Sequence, residues 1–187
     1  MSFAQCEIKS LITNHPLGEL LLYSTASMTE ALSIIHQDKL RADVISHQKV
    51  KEVPASFTGI CKKDMNSFSY RQAHLFIDKY SNVRPIIYAT TLIIDDNLDP
   101  AIRSSLETTN TPIGKVLDDK EWEVYRKILD VRVMPVDLNE IYSVVLQDPE
   151  DKVVRKTYQM SSFRQPMCFI AEYFSLRYLQ NVNKAWS

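Results

Sequence analysis

Two strand-like runs separated by a gap too short for a helix occur twice in this chain, and nothing else in the sequence restricts the fold as much. The first pair is "SYRQAHLFIDKY" and "RPIIYATTLII", separated by "SNV". The second is "KVVRKTYQM" and "PMCFIAEYF", separated by "SSFRQ". Both pairs are rich in β-branched and aromatic residues and bounded by turn formers, so each reads as a hairpin. A parallel return would need a crossover of a dozen residues or more, so the pairs are antiparallel.

The remaining segments fit around that sheet. "RADVISHQKVKEV" reads as a strand with one polar face, and "EWEVYRKILDVRVMPV" alternates well enough for a long strand. "STASMTEALSIIHQDKL" is the best helix: Ser27 and Glu30 form a capping box, and Met28, Ala31, Leu32 and Ile35 share one face. His36 is expected on that helix's surface. "NLDPAIRSSLE" is a short helix with Asp99 as cap and Pro100 in its first turn. "TNTPIGKVL" starts as a turn and continues as a short helical turn or loop, "NEIYSVVLQDPED" fits a helix end or a strand, and "SLRYLQNVNKAW" is an amphipathic tail. Paired strands with helical pieces between them describe an α+β chain on an antiparallel sheet, expected as one domain over residues 1–187.

Composition narrows the function classes. A net charge of −1 gives no general field for nucleic acid or a membrane surface. With 3 glycines there is no GxGxxG and no phosphate-binding GxxxxGK[ST]. Cys6, Cys61 and Cys168 form no CxxC and fit buried thiols in a reducing compartment. His15, His36, His47 and His74 form no HxH or HxxxH pair, so no metal site is expected. The start of the chain lacks a signal-peptide pattern, and no 18-residue apolar run suggests a membrane span, so the expected location is cytoplasmic. There is no GxSxG elbow.

One residue sits oddly in this pattern. In "RQPMCFIAEYF", period two puts Glu172 on the face of Cys168 and Ile170. If that face is core, an ionised carboxylate there costs several kcal/mol unless paired. Either Glu172 lies at a solvated strand end or something inside requires it. Arg71, Arg126 and Arg155 also stand on strands. An arginine pointing inward needs an anion, and its fork suits a carboxylate. Glu172 could be the structural partner of one arginine, or both could face a cavity that holds a carboxylate ligand. Local sequence leaves these alternatives open.

Several segments together resemble the chorismate pyruvate-lyase family. "SMTEAL" after "LLLYSTA" resembles its first helix with S-[ML]-T. "YRQAHLFI" followed by "RPIIYATTLI" resembles its strand pair with R-x-[IV]-x-L. "NTPIGKVL" resembles its T-P-L-G-x-x-L, and Pro166 and Glu172 keep the spacing of its closing G-x-P-x-x-x-x-x-E-x-F. The family's glycine two residues before the proline is absent here at both of its places, Val83-Arg84-Pro85 between the first strand pair and Arg164-Gln165-Pro166, and residues 71–85 are longer than the usual hairpin. The resemblance implies an antiparallel sheet of about six strands, covered by helices, with an enclosed site under helix-turn-helix flaps. It implies elimination of pyruvate from chorismate, giving 4-hydroxybenzoate or a related hydroxybenzoate, with no metal or organic cofactor and with chorismate or a benzoate-like acid as the small-molecule partner. Residue by residue, it assigns Arg71 to the ring carboxylate, the Ile113 N–H beside Gly114 to the same group, and Glu172 to the far end of the ring, with Met28 and Thr29 in the binding segment. A one-residue slip in the hairpin would put His74 where Arg71 is expected. A non-catalytic aromatic-acid-binding module on the same fold is the rival reading, and a decayed site the third.

Overall fold

The computed structural model describes residues 3–61, 67–77, 84–135, 140–146, 148 and 150–182, with side chains from residue 7 onward. Residues 78–83, where the first hairpin's turn is expected, the Cys6 side chain and the end of the tail lie outside that set. Six strands form one sheet: β1 (Leu40–Val50), β2 (Phe68–Ile77), β3 (Ile87–Ile94), β4 (Tyr125–Met134), β5 (Val153–Ser162) and β6 (Gln165–Ser175). Their order is β1-β2-β3-β6-β5-β4, and every described pairing is antiparallel. Both expected hairpins are present, and β6 joins them by pairing with β3.

The helices are α1 (Phe3–Ile12), α2 (Pro16–Tyr23), α3 (Met28–His36), α4 (Pro100–Thr108), α5 (Ile113–Asp119) and α6 (Leu176–Asn181). Local chemistry starts three of them. The Ser27 hydroxyl accepts from the Glu30 N–H, the Asp99 carboxylate from the Ala101 N–H at 2.7 Å, and the Ser175 hydroxyl from the Tyr178 N–H at 3.0 Å. α2 has no side-chain cap. It is held instead against α6 at Gly18, where a Cβ would stand 2.3 Å from the Leu179 carbonyl oxygen. Residues 141–145 form a short 3-10 turn, neither the helix end nor the strand considered above.

One face of the sheet carries helices and the other carries irregular segments. α1, α2, α3 and α6 pack Ile8, Leu22, Leu32 and Leu179 onto Ile77, Ile87 and Phe174. α4 and α5 pack Ile102, Leu106 and Leu117 onto Ile93, Met160 and Ile170. Between these two clusters the helix-covered face is hollow. The opposite face is closed by Phe57, Tyr142 and Val145 against Tyr88, Phe169 and Tyr173.

The expectation for His36 is corrected here. It is 6% exposed, and its Nε2 is hydrogen-bonded to the Tyr178 hydroxyl at 2.8 Å. α6 lies over the end of α3, so the face that looked solvated is covered by a helix distant in sequence. Cys61 and Cys168 are buried free thiols.

Candidate functional site

The hollow arises from side-chain size along one cross-strand row. Ala73 pairs with Ala89, Ala89 with Glu172, and Glu172 with Lys156. Residues directly opposite share a face, so two methyl side chains leave open space beside a carboxylate. The next row runs Arg71, Thr91, Ile170 and Tyr158. Over these rows lie Met28 and Thr29 at the start of α3 and Ile113 and Gly114 at the start of α5. The result is a narrow cavity; the space between its lining atoms, counting the mouth, is about 570 Å³. Ser27, Thr29, Ala42 and Pro112 also border a wider outer groove that carries Lys39, Arg41 and Lys115 together with Glu30, Asp118 and Asp119.

Glu172 is 3% exposed, so it is not a solvated strand end. Its Oε1 accepts a hydrogen bond from the Tyr158 hydroxyl at 2.9 Å, and its Oε2 has no partner. Burial pushes its pKa above the ordinary glutamate value, opposed by the Lys156 charge, the Tyr158 hydrogen bond and the Arg126 charge. Lys156, 3% exposed, donates to the carbonyls of Leu21 and Ser24 at 2.9 Å each, near the end of α2, and lies 5.4 Å from the Tyr158 ring centroid. Burial lowers its pKa and Glu172 raises it.

Arg71 is 4% exposed. Its Nη2 donates to the carbonyls of Thr109 and Thr111 at 3.1 and 2.9 Å, which ties it to the loop before α5, while its Nε has no partner. Burial brings its pKa down to about 10, which leaves it cationic at neutral pH. Ile113 is the first residue of α5, so its N–H has no acceptor within the helix. Gly114 leaves room above: a Cβ there would stand 3.6 Å from the Ser27 hydroxyl and 3.9 Å from Arg126 Nη2.

The structure thus brings Arg71, Glu172, Ile113, Gly114, Met28, Thr29 and Arg126 to one cavity. It does not bring His74 or Arg155 there. His74 stands on the opposite face with its ring 5.8 Å from that of Tyr88, and burial lowers its pKa. Arg155 faces the same way and pairs with Asp130 at 3.3 Å. The pairing of Glu172 with an arginine, one of the two alternatives, is not what the structure holds: its hydrogen bond comes from Tyr158 and the charge that acts on it most is that of Lys156, and sequence reasoning missed both. The hairpin alone would have pointed to the wrong residue. The turn residues Phe163 and Arg164 both have positive φ, 47° and 67°, and set Ser162 opposite Gln165. Counting straight from that turn puts Arg155 opposite Glu172. An irregularity between Met160 and Ser161 shifts the register by one and delivers Lys156 instead.

A six-stranded antiparallel sheet enclosing a small cavity on its helix-covered face defines a chorismate lyase-like fold. Solved structures share it at identities that speak to fold alone. The gene product SA0254 from Staphylococcus aureus matches at 12% identity and TM-score 0.60, over 84% of this chain and 93% of that one. The effector domain of PhnF from Mycobacterium smegmatis matches at 11% and 0.54, over 81% and 90%. The C-terminal domain of histidine utilization repressor from Pseudomonas syringae matches at 10% and 0.51, over 73% and 92%. The chain belongs to the family described as chorismate pyruvate-lyase Rv2949c-like, whose pattern matches residues 22–183. It is also 24% identical over 179 residues, 91% of this chain and 86% of the other, to the Methanocaldococcus jannaschii protein named "Putative lyase MJ0807". Among the described residues no helix is long and apolar enough to cross a membrane, and no cluster of three or more His, Cys, Asp or Glu is placed to hold a metal.

Proposed function

We propose that this chain, acting as one domain, is a carbon–oxygen lyase that converts chorismate to 4-hydroxybenzoate and pyruvate without a cofactor. The observation that carries this reading is a buried carboxyl, Glu172, with one oxygen unpartnered, lining the same cavity as a buried arginine, Arg71. Chorismate is an anion with a carboxylate on its ring. Arg71 and the Ile113 N–H hold that carboxylate, which sets the ring across the cavity with its ether linkage toward Glu172. The protonated carboxyl gives its proton to the ether oxygen as the ring carbon–oxygen bond breaks. The carboxylate so formed takes the hydrogen from the adjacent hydroxyl-bearing carbon as the ring aromatises. Enolpyruvate leaves and tautomerises to pyruvate, and Glu172 ends as it began. A pKa raised by burial suits a group that must be both acid and base. Aromatisation supplies much of the driving force, so one proton-transfer group and good positioning suffice. The buried free thiols of Cys61 and Cys168 are compatible with a reducing compartment, and this reading puts the activity in the cytoplasm.

Glu172→Gln tests the assignment, because it keeps shape and removes the titrating group. Turnover of chorismate falls by on the order of 10²-fold or more, while 4-hydroxybenzoate binding stays within about tenfold. Unchanged turnover would remove Glu172 from the chemistry.

A further inference from the structure

The elimination described above gives Arg126 nothing to do, yet its position is unusual. It stands on β4, half-buried, and lines the cavity. It also lines a smaller hollow beside the cavity, under the link between α2 and α3, together with Lys156 and Tyr158. The other strand arginines are occupied: Arg41 by Asp43, Arg132 and Arg155 by Asp130, and Arg71 by the carbonyls of Thr109 and Thr111. Arg126 makes no hydrogen bond or ion pair among the described residues.

Across the sheet Arg126 lies as far from Glu172 as Arg71 does, although its row, through Met160 and Cys168, is one step further along than the row of Arg71, through Thr91 and Ile170. In the order β1-β2-β3-β6-β5-β4, the strand of Glu172 is two strands from that of Arg71 and two from that of Arg126. At about 4.8 Å per strand the two arginine backbones stand roughly 19 Å apart with the carboxyl between them. Both side chains reach inward. Arg71 ends at Thr111, just before α5, and Arg126 Nη2 ends 3.9 Å from where a Cβ on Gly114 would be. The charge of Arg126 acts on both Glu172 and Tyr158.

We propose that Arg126 takes a second carboxylate, so that the site selects acids carrying two carboxylates joined through an ether over simple benzoates. This rests on the lyase reading: in chorismate the second carboxylate is that of the enolpyruvyl group, and Arg126 would hold the leaving fragment while Arg71 holds the ring. A half-buried strand arginine that merely lays its stem along apolar surface, with its head in water, would confer no such selectivity.

Titration calorimetry with two unreactive probes tests this separately from turnover. One probe is 4-hydroxybenzoate, with one carboxylate. The other is 3-(carboxymethoxy)-4-hydroxybenzoate, which adds a second through an ether. The wild-type protein should bind the diacid about tenfold or more tighter than the monoacid. Arg126→Gln should erase that preference and leave monoacid affinity within about threefold, and Arg126→Lys should keep part of it because the charge remains but the fork is lost. Thermal melts of both variants establish that they are folded. A wild-type protein with no preference for the diacid overturns the inference, as does an Arg126→Gln variant that loses both probes equally or neither. If the preference and its loss are found but chorismate yields no pyruvate, the lyase reading fails and the two-carboxylate site stands. If pyruvate is released but Arg126→Gln keeps the preference, only the inference about Arg126 fails.

Discussion

Replacing Glu172 by glutamine should make the protein more stable at alkaline pH, although it removes the group assigned to the chemistry. The wild-type carboxyl is 3% exposed, and one of its oxygens has no partner. An unsatisfied buried acceptor costs about 1–3 kcal/mol, and more when charged. Lys156 and Arg126 offset part of that, but burial is the largest influence and raises the pKa, so the native state favours the neutral form. Glutamine keeps an acceptor for the Tyr158 hydroxyl and carries no charge. The sign follows from linkage. A carboxyl whose native pKa is raised leaves stability intact below the ordinary carboxylate range. Stability is lost as pH climbs from there through the raised native value. The two proteins should therefore melt alike near pH ~4 and differ by about 1 kcal/mol near pH ~8, with glutamine the more stable, a shift of roughly 2–4 °C for a chain of this size. Thermal melts across that range measure it. A glutamine variant less stable than wild type near pH ~8 would refute the reasoning, because it would mean that the two cations outweigh burial and hold an ion pair.

Three further outcomes follow from the same geometry. Arg71→Ala should weaken binding of any benzoate by roughly 2–4 kcal/mol, measured by calorimetry, since the buried carboxylate loses its fork and the carbonyls of Thr109 and Thr111 lose their donor. Tyr158→Phe removes the hydroxyl that favours ionised Glu172, so the pH profile of turnover should move to higher pH; an unmoved profile would separate Tyr158 from the titration. Gly18→Ala should cost at least about 1–3 kcal/mol in denaturant unfolding, because the new methyl meets the Leu179 carbonyl oxygen and pushes α2 from α6.

The hairpins, the cap of α3 and the helix behind Asp99 were legible because each is encoded within a few adjacent residues. Period two put Glu172 on the face of Cys168 and Ile170 but left open whether that end of the strand was solvated; the inward reading, like the preference for Arg71 over His74, came from the family resemblance. The first two helices were not read. α2 lacks a side-chain cap, and its leucine-rich run makes sense only once α6 is packed against Gly18. His36 was misplaced for the same reason, since its partner Tyr178 is 142 residues away. The company of Glu172 was missed because an irregularity in β5 moves the pairing by one residue, and no propensity marks Met160 or Ser161 as the place for it. What was hidden in each case is a contact between distant segments or a backbone irregularity that only the assembled sheet specifies.

The most direct test of the account is to incubate the purified protein with chorismate and follow pyruvate and 4-hydroxybenzoate together. The account predicts equal amounts of the two products, released at a rate that Glu172→Gln lowers by on the order of 10²-fold. A protein that binds 4-hydroxybenzoate yet releases no pyruvate would contradict it, and would make this cavity a receptor for an aromatic acid rather than the site of its formation.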